Sequence, residues 1–361
     1  MRNEGKKKAL IAMSGGVDSS VAAFIMAKNG FDCMGCTMRL YENDMIGEDI
    51  FGTCCSLSDT QDARAVCERI GIPYNIFHYE SQFREKVIEP FVCSYERGET
   101  PNPCTLCNRY LKFDILYEKA KELGYDNIVT GHYARIEEND GHLYLKKAVD
   151  LSKDQSYVLY NLTEEQLRHT YFPLGDITKA DARRIAEENG FVTSHKKESQ
   201  DICFVPDGDY AGMIRRYRKK DYPHGDFVDP EGKVLGEHSG IIGYTVGQRR
   251  GLGIPAEKRL YVKKIDAAGN RVVLADNEDL FSREFVVRDF SWITGDIPEG
   301  DFDCSAKIRY RHPEKPCHVT ILGDGRARVL FDEPQRAITP GQSAVFYDGD
   351  TVLGGGIIDK I

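Results

Sequence analysis

Over roughly the first 130 positions, short apolar runs alternate with stretches of helical spacing. The runs predict strands, and the stretches predict helices, which mostly end at a glycine. The predicted strands are 8–13, 31–38, 74–78 and 127–130, and the predicted helices are 21–28, 59–70 and 108–123. Strands that alternate with helices favour a parallel sheet with helices on both faces.

The pattern changes after this region. Residues 134–149 predict a hairpin around Asn139-Asp140-Gly141. Residues 163–169 and 179–189 predict helices, the second with Thr178 as its N-cap. Short strands then dominate, at 260–265, 271–275, 305–310, 318–322 and 327–331. Such strands with Gly and Pro turns are typical of a small barrel. The expected fold class is α/β, with a parallel-sheet domain first and a β-barrel last.

The composition fits soluble globular domains. The chain has 361 residues, which predicts two or three domains, and 41% of them are hydrophobic. No run of about 18 apolar residues indicates a membrane span. The short apolar stretch near the N-terminus enters a glycine-rich loop instead of a cleavage site, so no signal peptide is expected and the cytosol is the expected location.

Charge is distributed unevenly along the chain. The net charge of −9 argues against a protein that coats nucleic acid non-specifically. Residues 206–264, however, carry 12 Lys and Arg against 8 Asp and Glu, a local excess of four positive charges. This basic region is either a solvated surface or a nucleic-acid contact, and the charge pattern alone leaves both open.

The segment Ala12-Met13-Ser14-Gly15-Gly16-Val17-Asp18-Ser19-Ser20 joins the first predicted strand to the first helix. Two glycines allow a tight fold whose N–H groups point inward, and the helix N-terminus adds a favourable dipole for an anion. The Gly-Lys-Ser/Thr of a Walker A loop is missing. The string resembles the loop of the pyrophosphate-loop ATPases, which cleave ATP between the α and β phosphates. The loop alone does not choose among the amide-forming synthetases and the tRNA thiolases of that group.

Eleven cysteines are present, and in a cytosolic chain of this length they indicate catalysis, metal binding or burial. Cys104 and Cys107 follow Thr100-Pro101-Asn102-Pro103 at the predicted start of a helix, where a thiolate is stabilised. Cys203 lies in Ser199-Gln200-Asp201-Ile202-Cys203-Phe204-Val205-Pro206. The C-x-x-C spacing also fits half of a zinc site, but no second pair at the usual spacing accompanies it.

Eight motifs together resemble the bacterial tRNA-specific 2-thiouridylases. They are SGGVDSS, TPNPCTLCN, GHYA (131–134), KDQSY (153–157), SQDICFVP, GYTVGQRRGLG (243–253), IRYR (308–311) and TPGQ (339–342). The resemblance covers nearly the whole chain. It implies a pyrophosphate-loop catalytic domain at 1–205, a small central tRNA-binding domain at 206–280 and a C-terminal β-barrel at 281–361.

The resemblance also implies a mechanism. ATP, with Mg²⁺, would adenylate the C2 oxygen of the wobble uridine of tRNA. A sulfur carrier protein or cysteine desulfurase would supply sulfur as a persulfide on Cys203. Cys107 would release that sulfur to give 2-thiouridine and a Cys107–Cys203 disulfide.

Further site residues follow from the matched motifs. ATP would bind at Ala12, Met13, Ser14, Gly15, Gly16, Val17, Asp18, Ser19, Met38 and Gly131. The target base would contact Asn102, Pro103 and Cys104. tRNA would contact His132, Lys153, Asp154, Gln155, Arg309, Tyr310 and Gln342.

Cys104 departs from a pattern that is common in the family, which has Asp at this position. Cys104, Cys107 and Cys203 together could hold three irons of a [4Fe–4S] cluster, and the fourth iron could carry sulfide. Persulfide relay and cluster-bound sulfur therefore both remain possible, with the relay favoured. An adenylating amidotransferase or a non-enzymatic tRNA-binding module would explain fewer of the motifs.

Overall fold

The computed structural model describes residues 6–41, 57–196, 202–295 and 300–359. Its strands are β1 (Lys8–Ala12), β2 (Asp32–Arg39), β3 (Tyr74–His78), β4 (Asn127–Val129), β5 (Ala134–Asn139), β6 (His142–Lys147), β7 (Thr170–Tyr171), β8 (Gly225–Val228), β9 (Val234–His238), β10 (Tyr261–Asp266), β11 (Arg271–Ala275), β12 (Phe281–Trp292), β13 (Asp301–Lys307), β14 (Lys315–Gly323), β15 (Arg326–Arg336), β16 (Ser343–Asp348) and β17 (Thr351–Ile358).

The α-helices are α1 (Val17–Lys28), α2 (Leu57–Ile70), α3 (Glu80–Phe83), α4 (Glu89–Glu96), α5 (Pro103–Leu106), α6 (Leu116–Glu122), α7 (Glu164–Arg168), α8 (Lys179–Glu188) and α9 (Tyr210–Arg218). Two π-helical segments, Arg84–Ile88 and Cys107–Ile115, connect α3 to α4 and α5 to α6. Single 3₁₀ turns occupy Ser156–Leu159, Ile241–Gly243 and Glu278–Leu280.

A five-stranded parallel sheet in the order β3-β2-β1-β4-β7 forms the centre of the N-terminal region. Ala9, Leu10 and Ile11 of β1 are fully buried, because helices cover both faces of the sheet. Gly30 follows α1 with a φ of +85° and ends that helix. The α/β architecture expected from the sequence is confirmed.

The helical stretch from α3 to α4 was not predicted. Its sequence contains Pro90, which normally interrupts a helix. In the structure Pro90 lies just after a π-helical segment, whose shifted backbone hydrogen bonding accommodates a residue that has no N–H. Local irregularity, which the apolar pattern does not reveal, accommodates the proline.

The remaining strands form two further sheets. The central sheet has the order β10-β11-β8-β9, so the predicted strands 260–265 and 271–275 belong to it and not to the terminal barrel. The strands β12-β15-β14-β13-β16-β17 form an antiparallel sheet that pairing between β12 and β17 closes into a six-stranded barrel. The expected central domain and terminal barrel are thus both present.

The predicted hairpin β5–β6 belongs to the barrel sheet, although it lies in the N-terminal region of the chain. Lys146 and Leu145 of β6 pair with Thr351 and Val352 of β17. This pairing fixes the barrel against the parallel-sheet domain close to the glycine-rich loop. Among the described residues, no helix is long and apolar enough to cross a membrane.

Candidate active site

The loop between β1 and α1 folds back on itself around its glycines. The Ser19 hydroxyl accepts a hydrogen bond from Ser14 N (3.2 Å) and donates one to Gly16 O (3.1 Å). Gly15 has a φ of +72°, and a Cβ atom there would overlap the backbone of Asp59. Glycine is therefore required at this position. The loop leads directly into the N-terminus of α1, and a helix N-terminus favours an anion.

Asp18, in the first turn of α1, is held by two residues from distant parts of the chain. Lys179 Nζ lies 2.7 and 2.9 Å from its two carboxylate oxygens, and the Tyr133 hydroxyl donates to it (2.9 Å). Sequence analysis missed both partners. They lie 161 and 115 positions from Asp18, and no local spacing connects them.

A second lysine closes the other side of the loop. Lys196 Nζ donates to Gly15 O (3.0 Å), to Asp59 and to Asp62 (2.6 Å). Burial alone would lower the pKa of Lys196, but its hydrogen bonds to Asp59 and Asp62 outweigh burial and raise that pKa. A cluster of charged side chains therefore positions the loop. The sequence predicted the loop but not the lysines that hold it.

Two cavities open onto the loop. The larger, about 770 Å³, lies between residues 14–18 and the barrel residues 310–314. The smaller, about 270 Å³, has an apolar wall that includes Met13, Met38 and Leu40. An apolar wall beside an anion-binding loop is an arrangement that accommodates a nucleotide.

The predicted ATP-binding residues are divided between these cavities. Gly15, Gly16 and Val17 line the larger cavity, whereas Ala12, Met13, Ser19, Met38 and Gly131 line the smaller one, and Ser14 and Asp18 border both. The structure thus brings all ten residues to one contiguous region. Their contact with ATP stays a prediction.

His132 lies in the wall of the smaller cavity and is only 8% exposed. Its Nδ1 is 2.6 Å from Thr130 Oγ1, and its Nε2 is 3.5 Å from Lys112 Nζ. Because an ammonium only donates, the network assigns the ring proton to Nδ1. Burial, and then the Lys112 charge, hold the pKa of His132 well below its usual value, so the ring is neutral at pH 7. This position suits contact with a nucleotide better than contact with tRNA, which stays a prediction.

The helix that carries the cysteine motif begins at Pro103, earlier than the start at 108 that the sequence predicts, so Cys104 and Cys107 lie within it. Asn102 is the N-cap, and its Oδ1 accepts a hydrogen bond from Cys104 N (3.1 Å). Cys104 is exposed in the first helical turn, while Cys107 is half-buried and begins the π-helical segment. Pro103 is buried. The helix dipole therefore acts most directly on Cys104.

Only Ile202 separates Cys203 from the undescribed segment 197–201, so Ser199, Gln200 and Asp201 of its motif lie outside the described residues. The Cys203 carbonyl accepts a hydrogen bond from the Tyr41 hydroxyl (3.0 Å). The next residue, Phe204, is buried, with its ring 5.6 Å from that of Phe83 and 5.2 Å from that of Phe91. These contacts anchor the half-buried Cys203 to the same large apolar cluster against which Cys107 packs.

The three cysteines of the motifs are not part of a preformed metal site among the described residues. Cys104, Cys107 and Cys203 all lie in the described part of the chain. Within that part, no three Cys, His, Asp or Glu side chains form a metal-binding group. The choice between persulfide relay and cluster-bound sulfur stays a prediction.

The predicted tRNA residues at 153–155 lie along the larger cavity. Asp154 is 8% exposed, and its carboxylate accepts hydrogen bonds from Ala148 N (3.1 Å) and Ser156 Oγ (2.8 Å). Gln155 Oε1 accepts from Tyr133 N (3.0 Å). These contacts shape the segment from within, and Lys153, which is half-buried, borders the cavity beside them.

Of the predicted tRNA residues of the barrel, Tyr310 and Gln342 contact the N-terminal region, whereas Arg309 is bonded within the barrel. Arg309 donates to the carbonyl oxygens of Arg336 and Ala337, the latter at 3.2 Å, and burial lowers its pKa. Tyr310 is 41% exposed, and its hydroxyl donates to Asp154 O (3.1 Å). Gln342 Nε2 donates to Thr100 O (2.7 Å), which joins the barrel to the segment preceding Asn102. Their roles toward tRNA stay predictions.

Comparison with protein families matches the chain in three consecutive parts. Residues 7–207 match the tRNA methyl transferase HUP domain, residues 212–276 the tRNA methyl transferase PRC-barrel domain, and residues 282–358 the aminomethyltransferase beta-barrel domain. The first match alone covers more than half of the chain.

Curated relatives match over nearly the full length. The protein named tRNA-specific 2-thiouridylase MnmA from Clostridioides difficile (strain 630) is 49% identical over 356 residues, with 98% of each chain covered. Those of the same name from Clostridium acetobutylicum and Acetivibrio thermocellus are 49% and 48% identical, each covering 98% of this chain and 99% of their own. With such identity across all three parts of the fold, this chain belongs to the family of tRNA-specific 2-thiouridylases.

Proposed function

We propose that this protein catalyses the ATP-dependent 2-thiolation of the wobble uridine of tRNA. The observation that carries the proposal is the junction between the cysteine-bearing helix and the cavity beside the glycine-rich loop. Lys112, on the π-helical continuation of that helix, lines this cavity together with Ser14 and Ser19. The names of the full-length relatives support the same substrate.

In the first step the uridine O2 attacks the α-phosphorus of Mg²⁺-bound ATP. The O2–phosphorus bond forms, the bond to the β-phosphate oxygen breaks, and pyrophosphate leaves with that electron pair. The N3 proton of uridine is released, which gives a neutral adenylated base. The glycine-rich loop stabilises the departing pyrophosphate through its N–H groups, as helix N-termini do for anions generally.

In the second step the terminal sulfur of a Cys203 persulfide attacks C2, and N3 takes up a proton. The Cys107 thiolate then attacks Cys203 Sγ and breaks the persulfide S–S bond. The released electron pair forms the C2 thiocarbonyl and expels AMP, leaving a Cys107–Cys203 disulfide. Two external thiols reduce that disulfide before the next turnover. A cysteine desulfurase or sulfur carrier protein supplies each new sulfane sulfur.

The remaining assignments rest on the motifs shared with the family. Asn102, Pro103 and Cys104 border the target base, while the residues at 153–155 and the barrel residues Arg309, Tyr310 and Gln342 position tRNA. The domains divide at 1–205, 206–280 and 281–361. Cytosolic tRNA would be the substrate pool, consistent with a cytosolic location.

Nucleoside analysis tests this function. The protein is incubated with unmodified tRNA, Mg-ATP, a cysteine desulfurase and cysteine, and the tRNA is digested to nucleosides. We expect 2-thiouridine at the wobble position, with AMP and pyrophosphate formed only when tRNA is present. ADP and phosphate as products, or tRNA bound without any thiolated nucleoside, would contradict the proposal. The second result would favour a binding module, and AMP formation driven by a small amide donor would favour an amidotransferase.

A further inference from the structure

Lys112 lies where the cysteine-bearing helix meets the smaller cavity. It belongs to the π-helical segment that begins at Cys107, five residues earlier. Residues five apart lie about 140° apart around an α-helix. A π-helix has more residues per turn than an α-helix, so Cys107 and Lys112 lie closer to the same side of it. Such π-helical turns are frequent at functional sites. The helix therefore directs a cation into the cavity from near the cysteine.

Two neutral groups hold the ammonium of Lys112 in place. It donates to Asn108 Oδ1 (2.9 Å) and approaches His132 Nε2 (3.5 Å). Asn108 is 1% exposed and donates its own amide to Val158 O (2.8 Å). His132 is fixed in turn by Thr130. The orientation of the ammonium is thus determined by buried, internally bonded side chains.

The electrostatic surroundings of Lys112 differ from those of the lysines beside the loop. Lys179 is paired with Asp18, and Lys196 with Asp59 and Asp62. For Lys112, by contrast, no carboxylate of the described residues lies within ion-pair distance. A cation whose neighbours are all neutral attracts an anion that enters the cavity it borders. An anionic group bound in the cavity is therefore the natural partner of Lys112.

The cavity itself indicates which anion that is. Its apolar wall of Met13, Met38 and Leu40 suits a base, and Ser14 and Ser19 of the loop border its polar end. The loop N–H groups serve the departing pyrophosphate, so the phosphate adjoining the nucleoside is left for the opposite wall. Resting on the function proposed above, we infer that Lys112 is a catalytic residue that binds the α-phosphate of ATP and stabilises its charge during adenylation of the uridine oxygen.

In that step Lys112 transfers no proton. Its ammonium donates hydrogen bonds to non-bridging α-phosphate oxygens as charge shifts from the entering uridine oxygen to pyrophosphate. The low pKa of His132 keeps its ring neutral, so it takes no proton from the phosphate. The lone pair on its Nε2 is directed at the ammonium of Lys112. A fixed cation that faces developing charge in a desolvated site increases the reaction rate by about 10²–10³-fold.

Binding of AMP against adenosine isolates the α-phosphate. Lys112→Met keeps the apolar stem and removes the charge, and Lys112→Arg keeps the charge. The matched control is Lys121→Met on α6, an exposed lysine paired with Glu118. We expect Lys112→Met to weaken AMP binding about tenfold, with adenosine binding unchanged and Lys112→Arg intermediate. The control should bind both ligands as wild type does. Titration calorimetry gives the dissociation constants, and circular dichroism verifies folding.

Steady-state kinetics then follows AMP release in the presence of tRNA. We expect Lys112→Met to lower kcat about 10²-fold with a smaller change in KM for ATP. Equal AMP affinities in wild type and Lys112→Met would overturn the inference. So would parallel losses for AMP and adenosine, or a wild type that binds AMP no more tightly than adenosine. A Lys112-dependent preference for AMP without thiolation of tRNA would refute only the proposed function.

Discussion

At the scale of single residues, the two proposed reacting cysteines have unlike surroundings. Cys107 begins a π-helical segment, and Cys203 is anchored through Phe204 and the Tyr41 hydroxyl. Both are half-buried, which limits the access of solvent thiols to a persulfide. Covalent sulfur transfer requires sulfur at both positions, because a hydroxyl neither carries sulfane sulfur nor forms the final disulfide.

Cys107→Ser and Cys203→Ser should therefore each abolish thiolation, lowering the rate at least about 10²-fold, while ATP and tRNA binding change little. Thiolated nucleosides are quantified by chromatography, and binding by filter retention. The matched control is Cys93→Ser, a half-buried cysteine bonded to Glu89 and Arg218 away from the loop cavities. A Cys203→Ser enzyme retaining a tenth of the wild-type rate would contradict the assignment.

Cys104 separates relay from cluster chemistry. It is exposed at the first helical turn, and the described residues contain no preformed three-ligand metal group. Cys104→Ala should therefore keep a substantial part of wild-type activity in iron-free protein supplied by a desulfurase. Cys104→Asp should do the same under the relay. Iron content and visible absorption of anaerobically reconstituted protein are measured in parallel. Wild-type activity that requires about four irons per chain and vanishes in Cys104→Ala would favour the cluster.

At the scale of elements, helix α8 connects a local capping signal to the active site. Thr178 and Asp181 form a reciprocal capping box at its start. The next residue after the cap, Lys179, holds Asp18 of the glycine-rich loop. A local N-cap therefore fixes the place of Lys179, whose ion-pair partner Asp18 lies 161 residues away in the sequence.

Thr178→Ala should destabilise the first turn of α8 by about 1 kcal/mol, since it removes the acceptor for Asp181 N. Hydrogen exchange of the α8 amides should become roughly fivefold faster under conditions of local opening. Thr178→Ser retains the hydroxyl and serves as the control. Identical exchange in Thr178→Ala and Thr178→Ser would show that the cap contributes nothing measurable.

At the scale of the whole molecule, a charged cluster joins the N-terminal region to the central one. Arg218 of α9 contacts Glu89 and Glu96 of α4 at 2.7 and 2.9 Å. Tyr222 donates to Glu96 (2.6 Å), and Lys220 lies 3.0 Å from it. Burial alone would raise the pKa of Glu96, but hydrogen bonds from Tyr222, Arg218 and Lys220 outweigh it and lower that pKa to about 2. Arg218 is thus engaged within the protein, whereas Arg216 and Lys219 of the same basic region are exposed.

A lowered carboxylate pKa gives stability that is present above the unfolded-state value and lost as pH falls through the folded-state value. Wild type should accordingly be more stable than Glu96→Gln at pH 7, and the difference should shrink as pH falls from about 4.5 toward 2. Thermal unfolding across that range measures it. Glu85→Gln, on the exposed side of the preceding π-helical segment, is the control. A difference that does not change with pH would show that the amide perturbs packing and not charge.

The sequence by itself predicted most of the local elements and the class of the reaction. Apolar runs, helical spacing and glycine stops are local, so they predicted β1 to β4, helices α1 and α8, and the hairpin near Gly141. The sequence motifs identified the glycine-rich loop, Cys107 and Cys203 as candidate site residues, because residue types at short spacing are visible in a sequence. Helix α4 was not predicted because it contains Pro90, and a proline is tolerated there only through the preceding π-helical segment.

Only the tertiary structure decided which distant groups meet. Lys179, Lys196 and Tyr133 reach the loop through chain reversals that no spacing encodes, and the hairpin β5–β6 joins a barrel formed some two hundred residues later. The helix that begins the cysteine motif became π-helical at Cys107, which changed the side that Lys112 faces. Local patterns reflect backbone preference and burial, whereas ion pairing and cavity shape depend on packing between elements far apart in sequence.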